Sequence, residues 1–129
     1  MSVVTDPVRV LIVDDSEDQL LLLRRYFERA GCEVVVAGTA MDAIRAYDTS
    51  PPDLTVIDLI LPGMDGWELA AQLSEQNPGC AIAITSVLGE EHYPASYPTL
   101  PKPVTSAQVR KALLDTVPRW QQASAANDV

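Results

Sequence analysis

The sequence predicts an α/β fold in which five parallel strands alternate with helices that cover both faces of one sheet. Three observations carry that prediction. Short apolar runs of strand length recur between longer stretches with helical spacing. Two of those runs, Val8–Val13 and Leu54–Leu59, are apolar almost throughout and end at or beside acids. Breakers stand at the joints: Gly31, Pro51-Pro52 and Asn77-Pro78-Gly79. A strand that is apolar on both sides of its pleat must be covered on both faces, and parallel strands with crossover helices meet that need.

In chain order, Val8–Val13 is the first strand and Asp14-Asp15 its polar end. Ser16 caps a helix whose apolar stripe is Leu20 to Leu23, Tyr26, Phe27 and Ala30, and Gly31 ends it. The run Leu20–Leu23 goes right round that helix, so at least one leucine is left partly exposed; surplus hydrophobicity and a docking role account for it equally well. Glu33–Ala37 is the second strand, and Met41, Ala43, Ile44 and Tyr47 mark a helix that stops before Pro51. Leu54–Leu59 is the third strand and contains Asp58. After the turn Pro62-Gly63-Met64-Asp65-Gly66, Trp67 to Leu73 has helical spacing; Ala81–Thr85 is the fourth strand and Thr99–Leu100 a short fifth. Thr105 with Gln108 forms a capping box for a last helix through Val109, Ala112, Leu113 and Val117, ended by Pro118.

The whole is a flavodoxin-like three-layer sandwich with strand order 2-1-3-4-5, because right-handed crossovers leave few other arrangements. One domain over residues 7–118 is expected, followed by a polar, frayed tail over 119–129. With 9 basic and 18 acidic residues the chain carries −9, which repels phosphate backbones and argues against direct nucleic-acid binding. No long apolar stretch and no leader pattern stands in the sequence, so a cytoplasmic protein without a membrane segment is expected. Cys32 and Cys80 are read as reduced, buried thiols.

In that strand order the carboxyl ends of strands one and three are neighbours, so Asp14, Asp15 and Asp58 meet at the switch point where open sheets bind ligands. Three converging carboxylates repel one another unless a cation neutralises them. Oxygen donors without His or Cys favour Mg²⁺, or Mn²⁺, with phosphate oxygens completing the shell. Thr85, ending strand four, and Lys102, after strand five, stand on the same edge and can bind phosphate. A carboxylate attacking phosphorus needs its charge balanced, which a metal and one lysine supply.

Taken together, Leu11-Ile12-Val13-Asp14-Asp15-Ser16, Asp58 followed by Pro62-Gly63-Met64-Asp65-Gly66, Thr85, and Lys102-Pro103 resemble a response-regulator receiver domain of the CheY-like superfamily, over about residues 7–118. The resemblance implies Asp58 as phospho-acceptor and metal ligand, Asp15 as the main direct ligand, Asp14 as its acidic neighbour, and the Ile60 carbonyl completing the set. It implies that Lys102 pairs with the phosphoryl group across a cis Lys102-Pro103 bond and that Thr85 moves toward the phosphate. Ser86 remains an alternative for that switching hydroxyl.

The pattern fails in one place. Only residues 86–101 separate Thr85 from Lys102, and Pro94 and Pro98 interrupt them, so the fourth helix of the family is expected to be truncated or replaced by a loop. Three residues before the lysine, where the family has an aromatic, stands Thr99, and His92 reads as a surface loop residue. The resulting expectation is a phosphorylation-dependent switch taking phosphoryl from a sensor histidine kinase or a histidine phosphotransfer protein and acting on an unnamed protein target. No enzymatic turnover is expected beyond its own phosphotransfer and dephosphorylation. Rival readings are a degenerate receiver that binds partners without phosphorylation and a Mg²⁺-dependent aspartyl phosphohydrolase. The latter normally has an acid where Ile60 stands.

Overall fold

A computed structural model describes residues 7–86 and 97–120. In chain order these form β1 (Arg9–Val13), α1 (Glu17–Arg29), β2 (Glu33–Ala37), α2 (Ala40–Thr49), β3 (Leu54–Asp58), α3 (Gly66–Gln76), β4 (Ala81–Ser86), β5 (Thr99–Pro101) and α4 (Ser106–Thr116). All strand pairs are parallel, and the five-stranded sheet has the order β2-β1-β3-β4-β5. This is the predicted flavodoxin-like sandwich. The question of the family's fourth helix falls on residues 87–96, which, like His92, lie outside the described residues.

The alternation of side chains along each strand feeds two cores. Val10, Ile12, Leu54, Val56, Ala83 and Leu100 pack toward α1 and α4 around Leu23, Phe27, Val109 and Leu113. Leu11, Val13, Ile57, Ile82 and Ile84 pack toward α2 and α3 around Tyr47, Leu69 and Leu73. Each such large apolar side chain contributes about 1.5–3 kcal/mol by leaving water. Every residue of β3 is buried, as its place in the middle of the sheet requires, whereas Val35 and Val36 of the edge strand β2 remain partly exposed.

Local chemistry sets the helix ends. The side chains of Ser16, Thr39 and Asp65 accept from Gln19, Asp42 and Glu68 backbone N–H groups, and Thr105 with Gln108 forms the expected reciprocal box. Gly31 adopts φ +88°, the left-handed conformation that terminates α1 without a Cβ penalty. Of the exposed leucine run, Leu23 is fully buried and Leu21 is 60% exposed.

The packed chain reaches beyond the expected boundary at Pro118. Residues 118–120 make a further helical turn, and Trp120 is buried with its Nε1–H donating to the Ala30 carbonyl at 2.8 Å. Arg119 bonds the Asp53 carboxylate at 2.7 Å and the Pro7 carbonyl at 3.0 Å. Residues 119 and 120 are thus packed against the domain, the large apolar face of the indole being out of water. Residues 121–129 lie outside the described residues.

Candidate functional site

The carboxyl ends of β1, β3, β4 and β5 bring the predicted polar side chains to one edge of the sheet. Asp14 and Asp15 follow β1, Asp58 is the last residue of β3, and Thr85 stands opposite Asp58 in the β3–β4 register. One carboxylate oxygen from each of Asp14, Asp15 and Asp58 lies within 4.8 Å of the other two. Asp14 and Asp58 are buried, while Asp15 is exposed at the mouth.

Lys102 directly follows β5, and its peptide bond to Pro103 is cis. Its Nζ lies 3.0 Å from Asp14 Oδ2 and 3.1 Å from Asp58 Oδ2. Backbone donors hold the same two carboxylates: the Ser16 N–H reaches Asp14 Oδ1 at 2.9 Å and the Ile60 N–H reaches Asp58 Oδ1 at 3.1 Å. Each buried acid is thus oriented by one peptide N–H and by the shared ammonium.

Electrostatics follow from that arrangement. Burial pushes the Asp58 carboxyl above its ordinary range; the Ile60 N–H and the Lys102 ammonium oppose the shift, and the neighbouring Asp14 charge adds to it. For Lys102, burial works against the charged form, but its hydrogen bonds to Asp14 and Asp58 outweigh that effect and raise its pKa above the usual lysine value.

Thr85 is 1% exposed and stands beside the acid on the neighbouring strand, where its carbonyl accepts the Leu59 N–H at 2.9 Å. Ser86, the alternative hydroxyl, is the last residue of β4. Ile60 is 58% exposed and stands at the rim, where the phosphohydrolase reading would require a second acid. Two features of the site were not foreseen in the sequence. Lys102 bridges Asp14 as well as Asp58, and Gly66 closes directly on the Asp58–Leu59 peptide. The turn signal at residues 62–66 was the only hint of the second.

The donor set is all oxygen, with charge from three carboxylates and a lysine nearby. It suits a hard divalent cation and offers nothing to a soft one.

A doubly wound sheet whose switch point carries an acidic triad, a hydroxyl and a lysine defines a receiver-type protein. The model of the response regulator receiver domain matches residues 10–113, and the chain belongs to that family. It is 36% identical over 83 residues to the alkaline phosphatase synthesis transcriptional regulatory protein PhoP of Bacillus subtilis, covering 64% of this chain and 35% of that protein. It is 29% identical over 85 residues to the chemotaxis protein CheY of Listeria monocytogenes, covering 65% of this chain and 71% of that one. The chain thus spans about a third of the first relative's length and most of the second's. Among solved structures, the signal receiver domain of an HD domain-containing protein from Pseudomonas fluorescens superposes with a TM-score of 0.80 at 21% identity, over 91% of this chain and 99% of that one. That likeness is one of fold.

Proposed function

We propose that this chain is a phosphorylation-dependent switch of a two-component phosphorelay, in which Asp58 accepts a phosphoryl group from a sensor histidine kinase or a histidine phosphotransfer protein. The observation that carries the reading is the environment of Asp58. It is a nearly buried carboxylate with a lysine ammonium at 3.1 Å and two further acids beside it, at the open edge of the sheet.

Asp14, Asp15, Asp58 and the Ile60 carbonyl would hold Mg²⁺ or Mn²⁺. When bound, the ion would supply positive charge that balances the negative charge on the equatorial phosphoryl oxygens. The chain's own groups do the rest. The Ile60 N–H holds Asp58 Oδ1, and Oδ2, once Lys102 releases it, forms the new O–P bond as the bond to the donor imidazole breaks. Lys102 exchanges its contact with Asp58 for one with a phosphoryl oxygen and keeps Asp14 as its anchor. Thr85, buried beside the acid on the neighbouring strand, turns its hydroxyl to the phosphate and shifts the adjoining surface, so the output is a population shift between two packings. Hydrolysis of the acyl phosphate then resets the switch.

The partner surface favoured by this reading is the groove beside the mouth, lined by Glu17, Leu20, Leu21, Arg24 and Val36, where a helical donor can bring its histidine to Asp58. Among the described residues no helix is long and apolar enough to cross a membrane. The net charge of −9 supports a protein target rather than direct nucleic-acid contact.

Intact mass after incubation with acetyl phosphate tests the reading. A Mg²⁺-dependent gain of one phosphoryl group, lost in Asp58→Asn, is expected. No adduct, together with no tryptophan fluorescence response to beryllofluoride and Mg²⁺, would sink it in favour of a constitutive binding role.

A further inference from the structure

Gly66 opens α3, and a side chain there has no room. A Cβ built on this backbone would lie 2.4 Å from the Asp58 carbonyl oxygen, 2.7 Å from Leu59 Cα and 3.0 Å from the Leu59 carbonyl oxygen. All three are main-chain atoms at the end of β3, so no rotamer change relieves the clash. Gly66 is not among the glycines with positive φ, which are Gly31 and Gly63. The position therefore demands space rather than an unusual conformation.

The surroundings leave little slack. The Gly66 N–H donates to the Leu59 carbonyl at 2.8 Å, and the Asp65 carboxylate accepts from Glu68 N–H at 2.8 Å, which fixes the first turn of α3. Trp67 packs against the core beneath α2 and α3. The start of α3 is thus pressed onto the peptide that carries Asp58. Restoring an ordinary 3.4 Å contact from 2.4 Å takes a displacement of about 1 Å. That peptide sets the hydrogen bonds from Ile60 N–H to Asp58 and from Leu59 N–H to Thr85, and a misplacement of about 1 Å can cost on the order of a hundredfold in rate.

We propose that Gly66 is a positioning residue for phosphoryl transfer: its missing side chain seats the first turn of α3 on the Asp58–Leu59 peptide and holds the Asp58 carboxylate in register with Lys102, Asp14 and Asp15. The inference rests on the receiver reading above. It adds a requirement on a residue that touches neither phosphate nor metal.

The test compares the unaltered chain, Gly66→Ala and Gly79→Ala, whose added Cβ would meet only the Asn77 side-chain oxygen at 3.5 Å. Three readouts are taken: thermal melting, the Mg²⁺ dissociation constant from tryptophan fluorescence, and the rate of adduct formation with acetyl phosphate. Gly66→Ala is expected to melt cooperatively, to bind Mg²⁺ more weakly and to phosphorylate about ten- to a hundredfold more slowly, while Gly79→Ala matches the unaltered chain. A Gly66→Ala protein that melts lower yet keeps both Mg²⁺ affinity and rate would overturn the inference, because the glycine would then serve folding alone.

Should Gly66→Ala give no cooperative melt, amide hydrogen exchange on the unaltered chain decides. The Gly66 amide is expected to exchange more slowly once beryllofluoride and Mg²⁺ are added, and an unchanged rate overturns the proposal. An unaltered chain that neither gains a phosphoryl group nor responds to beryllofluoride overturns the receiver reading, and this inference with it. A responsive unaltered chain beside an equally responsive Gly66→Ala overturns the inference alone.

Discussion

The ammonium of Lys102 lies 3.1 Å from Asp58 Oδ2 and reaches Asp14 Oδ2 at 3.0 Å with the same nitrogen. One largely buried cation therefore neutralises two acids that arrive from different strands. Removing it leaves those acids facing each other, and breaking a buried ion pair from one side costs about 3–5 kcal/mol. Lys102→Ala is accordingly expected to lose about 3 kcal/mol in urea denaturation with chelator present. Millimolar Mg²⁺ should recover more of that loss in the variant than it adds to the unaltered chain. Equal Mg²⁺ responses in the two proteins would show that the ammonium does not balance the acids.

Asp58→Asn should stabilise the chain near neutral pH. Burial raises the folded-state pKa of Asp58 above its ordinary 3.8, so its contribution to stability is present at low pH and lost as pH rises through the raised value. At pH 7 the ionised acid is a cost that asparagine removes. A rise in Tm of about 2–4 °C corresponds to a gain on the order of 1 kcal/mol. The difference should shrink as pH falls through the raised value and be gone below about 4, where the acid is protonated in both folded and unfolded chains. A gain that persists unchanged at pH 3 would assign it to something other than ionisation.

Trp120 anchors the end of the last helix. It is 6% exposed, its indole N–H is bonded to Ala30, and the Arg110 guanidinium lies 5.9 Å from its ring centroid. Trp120→Ala is expected to cost about 3–5 kcal/mol in chemical denaturation, and Trp120→Phe about 1 kcal/mol or slightly more through the lost hydrogen bond.

The two thiols should differ in reactivity. Burial, aided by the Asp53 charge, pushes the Cys32 pKa up to about 12, and burial also raises Cys80, which is only partly covered. The thiolate is the reactive species, so at pH 8 Cys32 should react with an aromatic disulfide only as fast as the domain opens, with Cys80 ahead of it. Rapid reaction of both in native buffer would contradict the packing around Cys32.

Most of the site was legible in the sequence because each of its acids or hydroxyls ends an apolar run. The runs fix the strands, the alternation fixes their order, and the order brings Asp14, Asp15, Asp58, Thr85 and Lys102 to one edge. The remainder depends on contacts between segments distant in sequence. The Lys102–Asp14 bridge joins residues 88 positions apart, and the Trp120–Ala30 bond spans 90. Nothing in the polar tail around Trp120 announced a packing site. The fit of Gly66 against Asp58 was likewise hidden, since a glycine in a Pro-Gly-Met-Asp-Gly turn reads as a need for backbone freedom when the need here is for empty space.

The central strand has a consequence for how this lineage can change. In β3, Leu54 and Val56 serve one core, Ile57 serves the other, and Asp58 is the next residue. A deletion or insertion of one residue within that strand would turn the side chains on one side of it to the opposite face, which either spoils the packing of Leu54, Val56 and Ile57 or carries Asp58 away from Lys102 and Asp15. Length variation is therefore poorly tolerated in the strand that bears Asp58. Divergence among descendants is left to substitution there, and to the loops and chain ends elsewhere.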